Sequence, residues 1–234
     1  APADADVNPA SADIAWSNGV WVANGNLAIR HLGVPTVTVP MGVMADIGMP
    51  APALQDANTW LNEPALWQAH LPQLGAQSHK YTRGHALVVG GERMTGASRL
   101  AARAAQRAGA GLVSMAVPPS VWPVYASALD SIMVAALDDT LTTDERIRAW
   151  LVGPGAGLGE ETRRLTLALL ATGRPCVLDA DAISSFASQP QELWDALHEQ
   201  CVLTPHAGEF ARVFEEAPDR LEAARLAATQ CGAV

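Results

Sequence analysis

The sequence predicts an α/β fold in three layers, with helices on both faces of a parallel sheet. Two observations predict it. Between residues 79 and 214, short continuous apolar runs alternate with helical patterns, which is typical of parallel strands buried on both faces. Nearly every run also stops at glycine, carboxylate or imidazole residues, where the strands of such a sheet hold ligands. The runs are Ala86–Val89, Leu112–Val117, Trp150–Val152, Cys176–Leu178 and Val202–Leu203.

The helices between these strands are predicted from apolar periodicity and from residues that begin or end helices. The first begins at Thr95 or Gly96 and ends at Gly109, which accepts a positive φ. Its apolar face is predicted to consist of Leu100, Ala101, Ala104, Ala105 and Ala108. The second opens with Glu160 and Glu161, where negative charge suits the N-terminal dipole. The other predicted helices cover residues 63–70, 191–199 and about 219–230.

Composition excludes several classes of function. The net charge of −9 disfavours nucleic acid as a partner, because phosphate binding needs clustered Lys and Arg. The cysteines Cys176, Cys201 and Cys231 have neither metal-ligand nor redox spacing, so no metal site is predicted. No apolar segment approaches the roughly 18 residues of a membrane span, and no signal pattern opens the chain. We therefore expect a cytoplasmic protein without a membrane partner.

Three zones follow one another along the 234 residues. Residues 1–50 contain almost no charge and are predicted to form a peripheral segment. Within them, Thr36–Val39 has the β-branched composition of a strand, and the flanking prolines predict an edge position. Residues 51–79 are predicted to be a connector, and residues 80–234 the alternating strand–helix body.

Two glycine-rich turns follow predicted strands. The turn Gly90–Gly96 has the character of an anion cradle, because the N–H groups at Gly96 and Ala97 would open the following helix. It fits neither a Walker loop nor a dinucleotide fingerprint, and a plain structural turn is an equal alternative. Gly153–Gly159 holds four glycines in seven residues, which favours close approach of a ligand to backbone around Gly157.

Polar side chains follow the last two strands. Asp179 and Asp181 lie two residues apart, so they would point to opposite sides of an extended chain. We expect one to face the pocket and the other to cap the next helix. His206 follows Thr204-Pro205, and its titration range suits a hydrogen bond to a ligand hydroxyl or phosphate. Lys80 precedes the first strand of the body and is a further candidate ligand contact.

These motifs, in this order, resemble the ADP-dependent NAD(P)H-hydrate dehydratases. The resemblance implies a ribokinase-like fold, incomplete here, and a reaction in which ADP phosphorylates the hydroxyl of hydrated NADH or NADPH before phosphate leaves. It also implies a place in the C-terminal half of a bifunctional repair enzyme. The matching segments are His79–His85, Val88–Gly91, Met94–Ala97, Arg107–Val113, Gly153–Gly155, Leu178–Ala182 and Leu203–Ala211.

The resemblance also implies roles for residues. Ala97, Gly155 and His206 match family contacts to the hydrated dinucleotide. ADP is the implied co-substrate, and Mg²⁺ is a further implied cofactor. The family's lysine-glycine nucleotide motif and its catalytic aspartate would follow Val234, so no catalytic residue is assigned within this sequence. We therefore expect residues 1–234 alone to bind the dinucleotide weakly, to turn it over slowly and to form homo-oligomers.

Two other functions remain open at this point. The chain could be a non-catalytic dinucleotide-binding or assembly module that kept the fold without the chemistry. Residues 1–45 also resemble a late segment of amidase-signature hydrolases, through Asn24–Ala28 and Gly33–Gly42. That second resemblance implies amide hydrolysis only weakly, because the catalytic Ser–Ser–Lys set of that family has no counterpart here.

Overall fold

The computed structural model describes residues 14–17, 20–23, 36–39, 42–45, 59, 62, 64–72, 75–138 and 140–234. The chain divides into two compact units. Residues 1–73 and 217–223 form one unit, and residues 74–216 and 224–234 form the other. The division into zones 1–50, 51–79 and 80–234 stays a prediction.

The first unit contains two antiparallel hairpins. Strands β1 (Ile14–Ser17) and β2 (Val20–Ala23) form one, and β3 (Thr36–Val39) and β4 (Gly42–Ala45) form the other. The strand predicted at Thr36–Val39 thus has the bounds of β3. A short helix α1 (Pro64–Trp67) continues into one 3₁₀ turn, Gln68–His70, where a short helix is predicted.

The second unit is built on a six-stranded parallel sheet in the order β10-β9-β8-β5-β6-β7. All five predicted strands are present. The additional strand, β7, was not predicted; it is a four-residue edge strand with mostly exposed side chains. The strands are β5 (His85–Val89), β6 (Leu112–Val117), β7 (Met133–Ala136), β8 (Ile147–Val152), β9 (Cys176–Leu178) and β10 (Cys201–Leu203).

Helices cover both faces of this sheet. On one face α2 and α3 pack on a core that includes Val88 and Met115, and on the other the remaining helices pack on a core that includes Leu87 and Trp150. Among the described residues, no helix is both long and apolar enough to cross a membrane. The helices are α2 (Thr95–Ala108), α3 (Trp122–Ala126), α4 (Glu160–Leu170), α5 (Asp181–Ser184), α6 (Pro190–Ala196), α7 (Ala207–Val213) and α8 (Arg220–Cys231).

The face predicted for α2 is partly wrong. Leu100 is 69% exposed and Ala104 and Ala108 are also exposed, whereas Ser98 and Ala102 are fully buried. Periodicity is ambiguous in an alanine-rich helix, because alanine fits either a buried or an exposed position. The small side chains of Ser98 and Ala102, one turn apart, allow α2 to lie close to β5 and β6.

Candidate functional site

The strand order changes direction between β5 and β8, which are neighbours in the sheet. From β5 it continues to β6 and β7 on one side, whereas from β8 it continues to β9 and β10 on the other. In open parallel sheets, ligands bind outside the carboxyl ends of the strands at such a switch point. The loops that leave β5 and β8 are Gly90–Gly96 and Gly153–Gly159. The structure therefore places both predicted glycine turns side by side at this point.

The two glycine turns touch through their backbones. A Cβ atom on Gly91 would lie 1.3 Å from the carbonyl oxygen of Gly155, so no side chain fits at Gly91. Gly155 has φ +71°, and a Cβ atom there would lie 2.5 Å from the carbonyl oxygen of Met94. Such close approach leaves only glycine at both positions, and it fixes one turn against the other.

The N-terminus of α2 opens at this contact. Gly96 and Ala97 lie in its first turn, whose N–H groups have no partners within the helix. Met94, the residue before the helix, provides no side-chain hydrogen bond to these groups, and the first turn contains no acidic residue. The partial positive charge of the helix end is therefore available to an anion. The side chain of Ala97 is exposed, and nothing lies within 4 Å of a Cβ atom built on Gly96.

The two aspartates connect neighbouring loops. Asp181 accepts a hydrogen bond from the Gly157 N–H at 2.9 Å, and Asp179 accepts one from the Thr204 hydroxyl at 3.0 Å. Asp181 is the first residue of α5 rather than its cap, which corrects the predicted capping role. Each carboxylate therefore holds another loop in place.

Between the two aspartates, the backbone is strained. Ala180 has φ 48° and ψ −112°, and among the described residues it is the only one other than glycine with a positive φ. Such strain concentrates at functional sites, where the surrounding structure holds it. Here the strained residue sets the directions of Asp179 and Asp181, which contact different loops.

His206 is the N-cap of α7. Its Nδ1 accepts hydrogen bonds from the N–H groups of Gly208 and Glu209, at 3.0 and 3.2 Å. The Glu209 carboxylate returns to the His206 N–H at 2.9 Å and lies 3.1 Å from Nε2, which completes a capping box. Since Nδ1 accepts, the neutral ring carries its proton on Nε2. The ring is 69% exposed, so it combines a structural role with access to a ligand.

The three residues predicted to contact a dinucleotide all follow strand ends at one edge. Ala97 follows β5, Gly155 follows β8 and His206 follows β10, which is three strand positions from β5. With neighbouring strands about 4.8 Å apart, this arrangement spans about 15 Å. The topology therefore brings them to a common edge.

Lys80 does not belong to this edge. It precedes β5 by several residues, and its carbonyl oxygen lies 1.8 Å from a Cβ atom built on Gly111, immediately before β6. Both positions are at the amino ends of the strands. The Lys80 ammonium lies over the ring of Tyr81, 5.1 Å from its centre. The structure thus separates Lys80 from the four loops that follow β5, β8, β9 and β10.

A cavity of about 200 Å³ lies elsewhere in the second unit. It is between the sheet and α4, and its walls are largely apolar, with Leu87, Trp150 and Leu169 among them. No residue of the four loops lines it. We place the candidate site at the switch point instead, because open backbone N–H groups and glycine contacts converge there.

Sequence reasoning missed three residues that shape this edge. Thr204 and Glu209 hold Asp179 and His206, and Tyr125 lies buried beneath Gly90. The spacing of His206 and Glu209 matches that of a capping box, so this pairing could have been predicted from the sequence. Nothing in the sequence around Tyr125 indicates its position.

Fold and loops together define a doubly wound α/β protein whose glycine turns meet at the switch point of the sheet. A family model for NAD(P)H-hydrate dehydratase matches residues 86–234, and the chain belongs to that family.

Relatives and solved structures agree with this assignment. A bifunctional NAD(P)H-hydrate repair enzyme from Coxiella burnetii is 38% identical over 147 residues, which cover 61% of this chain and 29% of that protein. The corresponding enzyme from Gloeobacter violaceus is 34% identical over 232 residues, covering 91% and 43%. The chain therefore spans less than half the length of these curated relatives.

Two solved structures share the fold. A ribokinase-like superfamily protein from Enterococcus faecalis has a TM-score of 0.59 at 23% identity, covering 70% of this chain and 60% of that one. The ADP/ATP-dependent NAD(P)H-hydrate dehydratase from Bacillus subtilis, co-crystallised with ATP/Mg²⁺, has a TM-score of 0.50 at 29% identity, covering 61% and 51%. The ribokinase-like prediction is confirmed.

The resemblance of residues 1–45 to amidase-signature hydrolases receives no support. An alignment with the Gloeobacter violaceus enzyme that covers 91% of the chain must extend into residues 1–50. That zone is thus related at least in part to a repair enzyme, which removes the basis for the amidase interpretation. Most of these residues lie outside the described part of the chain.

Proposed function

We propose that this chain carries the dinucleotide-side part of an ADP-dependent NAD(P)H-hydrate dehydratase. The observation that carries the proposal is the contact of the two glycine turns beside the open N-terminus of α2. Hydrated NADH and NADPH carry a pyrophosphate, which suits free backbone N–H groups at a helix N-terminus. The reaction would phosphorylate the ring hydroxyl with ADP and release phosphate, which restores the dihydronicotinamide.

Three residues would contact the hydrated dinucleotide. The N–H of Ala97 belongs to the anion-accepting first turn of α2, and Gly155 lets the ligand approach the backbone. The His206 ring is exposed, and its Nε2–H, which faces Glu209 at 3.1 Å, would exchange that acceptor for an oxygen of the ligand. Asp179 and Asp181 would act through the loops that they hold.

ADP and Mg²⁺ enter the proposal together. In the described ranges, no group of three His, Cys, Asp or Glu side chains is arranged to hold a metal ion. Mg²⁺ is usually bound through substrate phosphates with one or two carboxylates. We therefore assign Mg²⁺ to the nucleotide rather than to a cage formed by the described residues.

A charge placed at Ala97 tests the proposal. Glutamate in the first turn of a helix is favourable for stability, yet at this position it would repel an anionic ligand. In calorimetric titrations with hydrated NADH, Ala97→Glu should weaken binding about tenfold, since one unfavourable charge contact is worth about 1 kcal/mol or more. Ala104→Glu is the matched control, because Ala104 is exposed on the same helix two turns away.

The outcomes separate clearly. Binding that weakens in Ala97→Glu but stays close to wild type in Ala104→Glu supports the site. Equal affinities in all three proteins would show that the ligand does not bind at the N-terminus of α2. A wild-type chain that does not bind hydrated NADH would overturn the proposed function.

A cytoplasmic location and a homo-oligomer are further parts of the proposal. All three cysteines are free and buried, which suits a reducing compartment. Leu100 on α2 and Met133 on β7 are exposed apolar side chains that a second copy could cover. Light scattering during size-exclusion chromatography measures the mass directly, and a monomer at all concentrations would contradict the oligomer.

A further inference from the structure

A buried hydrogen-bond network lies behind the glycine turns. Tyr125, on α3, has no solvent exposure, and its hydroxyl lies 2.8 Å from the carbonyl oxygen of Gly91. Ser98, on α2 and equally buried, places its Oγ 3.1 Å from the same hydroxyl. Residues from α2, from α3 and from the turn after β5 therefore meet at one phenolic oxygen.

The direction of each hydrogen bond follows from the number of protons. The Gly91 carbonyl can only accept, and the phenol has one proton, so Tyr125 donates to Gly91. The Ser98 hydroxyl is then the group that can donate within the Ser98–Tyr125 pair, at 3.1 Å. Its alternative acceptor, the Thr95 carbonyl, lies farther away at 3.3 Å. In this network, each hydroxyl therefore has an acceptor within hydrogen-bond distance.

This network reaches two of the residues proposed to bind the dinucleotide. Gly91 is the residue that contacts Gly155. Ser98 directly follows Ala97 in the first turn of α2. The Tyr125 ring also lies beneath Gly90, where a Cβ atom would come within 2.8 Å of it. One buried side chain therefore fixes the turn after β5 and the start of α2 relative to each other.

We infer that Tyr125 is a positioning residue for the hydrated-dinucleotide site. It acts through Gly91 and Ser98, because a fully buried side chain cannot touch the ligand. The inference rests on the proposed function. Removing the hydroxyl leaves the Gly91 carbonyl without its side-chain donor, so both glycine turns should move more freely and bind the ligand less tightly.

Tyr125→Phe tests this, because it removes one oxygen and keeps the ring beneath Gly90. The matched control is Thr172→Ala, which removes the hydroxyl that accepts from Trp150 Nε1 at 3.1 Å near the opposite edge of the sheet. The readouts are the Kd for hydrated NADH, the Tm, and amide hydrogen exchange in residues 90–98 and 153–159. Exchange requires no ligand, so it tests the positioning role independently of the proposed function.

In Tyr125→Phe, we expect faster exchange in both segments and a Kd about three- to tenfold higher. Thr172→Ala should lower the Tm to a similar degree and leave the Kd and both segments unchanged. Unchanged exchange in either segment, or an unchanged Kd where wild type binds, overturns the inference. If wild type does not bind, the proposed function fails, and exchange alone decides whether Tyr125 positions the turns.

Discussion

The two edges of the sheet differ in the side chains that hold their loops. At the amino edge, long side chains reach backbone carbonyls: Arg83 donates to Gly109 and Arg174 donates to Asp144. Close backbone contacts at glycine occur at both edges, at Gly111 with Lys80 and at Gly91 with Gly155. At the carboxyl edge, short side chains such as Asp181 and Thr204 hold the other loops.

This difference follows from the space that the carboxyl edge must leave for a ligand. A long side chain across the carboxyl edge would occupy the space that a ligand needs and would cover the N–H groups of α2. Glycine contacts, short side chains and the buried Tyr125 hold the loops from below and leave the outer surface free. Substitutions at the carboxyl edge should therefore affect binding, whereas substitutions at the amino edge should affect stability alone.

The largest effect is expected for Gly91→Ala. Its methyl group would lie 1.3 Å from the Gly155 carbonyl, and a backbone atom cannot give way as a side chain can. We expect a loss of stability above about 3 kcal/mol, beyond ordinary overpacking, or no folded protein at all. Urea unfolding measures the loss.

Gly96→Ala is the control within the same loop. It meets nothing within 4 Å and lies in a helical turn, so it should be neutral or stabilising by up to about 1 kcal/mol. A tolerated Gly91→Ala would mean that the two turns do not depend on this contact.

The contrast between these glycines also indicates how far the sequence could predict the site. Strand ends, glycine turns and the order of motifs predicted the fold and the four loops, because each depends on local pattern. The contact of Gly91 with Gly155 and the position of Tyr125 depend on packing between segments far apart in the chain. Pattern alone also failed for Leu100, because alanine-rich helices carry little information about which side is buried.

The next effect is expected at His206. From sequence alone we would expect His206→Ala to leave stability nearly unchanged, but its cap on α7 predicts a loss of about 0.5–2 kcal/mol. His206→Asn should keep stability close to wild type, since asparagine also caps helices, while still losing the ring that we propose contacts the ligand. Thermal unfolding and titration with hydrated NADH together measure both roles. Full binding by His206→Asn would leave the histidine with a structural role only.

A smaller effect is expected for Thr204→Val, which removes the hydroxyl that donates to Asp179 and keeps the size of the side chain. A hydrogen bond to a charged carboxylate contributes about 1.5–3 kcal/mol, and this exposed one should contribute about 1 kcal/mol or less. Because Asp179 neighbours the strained Ala180, we also expect faster amide exchange in residues 179–181. No change in exchange would show that Thr204 does not hold this turn.

The smallest effect is expected at the amino edge, for Asp144→Asn. Hydrogen bonds from the Arg146 side chain and backbone lower the pKa of Asp144 to about 2, with smaller contributions from the charges of Arg146 and His85. Because the pKa is lower in the folded protein, this contribution is complete above the unfolded value near 4 and disappears as the pH falls through about 2. Arg146 is 77% exposed, so solvent screening limits the contribution to about 1 kcal/mol or less.

The free energy of unfolding of wild type and Asp144→Asn, measured between pH 6 and pH 2.5, checks this prediction. The difference in unfolding free energy between the two proteins should shrink as the pH falls below about 4. Protonation of Asp144 then removes the stabilising contribution of its carboxylate from wild type, and Asp144→Asn lacks that contribution at every pH. The Kd for hydrated NADH at neutral pH should not change, since Asp144 precedes β8 at the end remote from the loops. An Asp144→Asn protein that folds normally but binds the ligand more weakly would show that the two edges are coupled, and the distinction between them would fail.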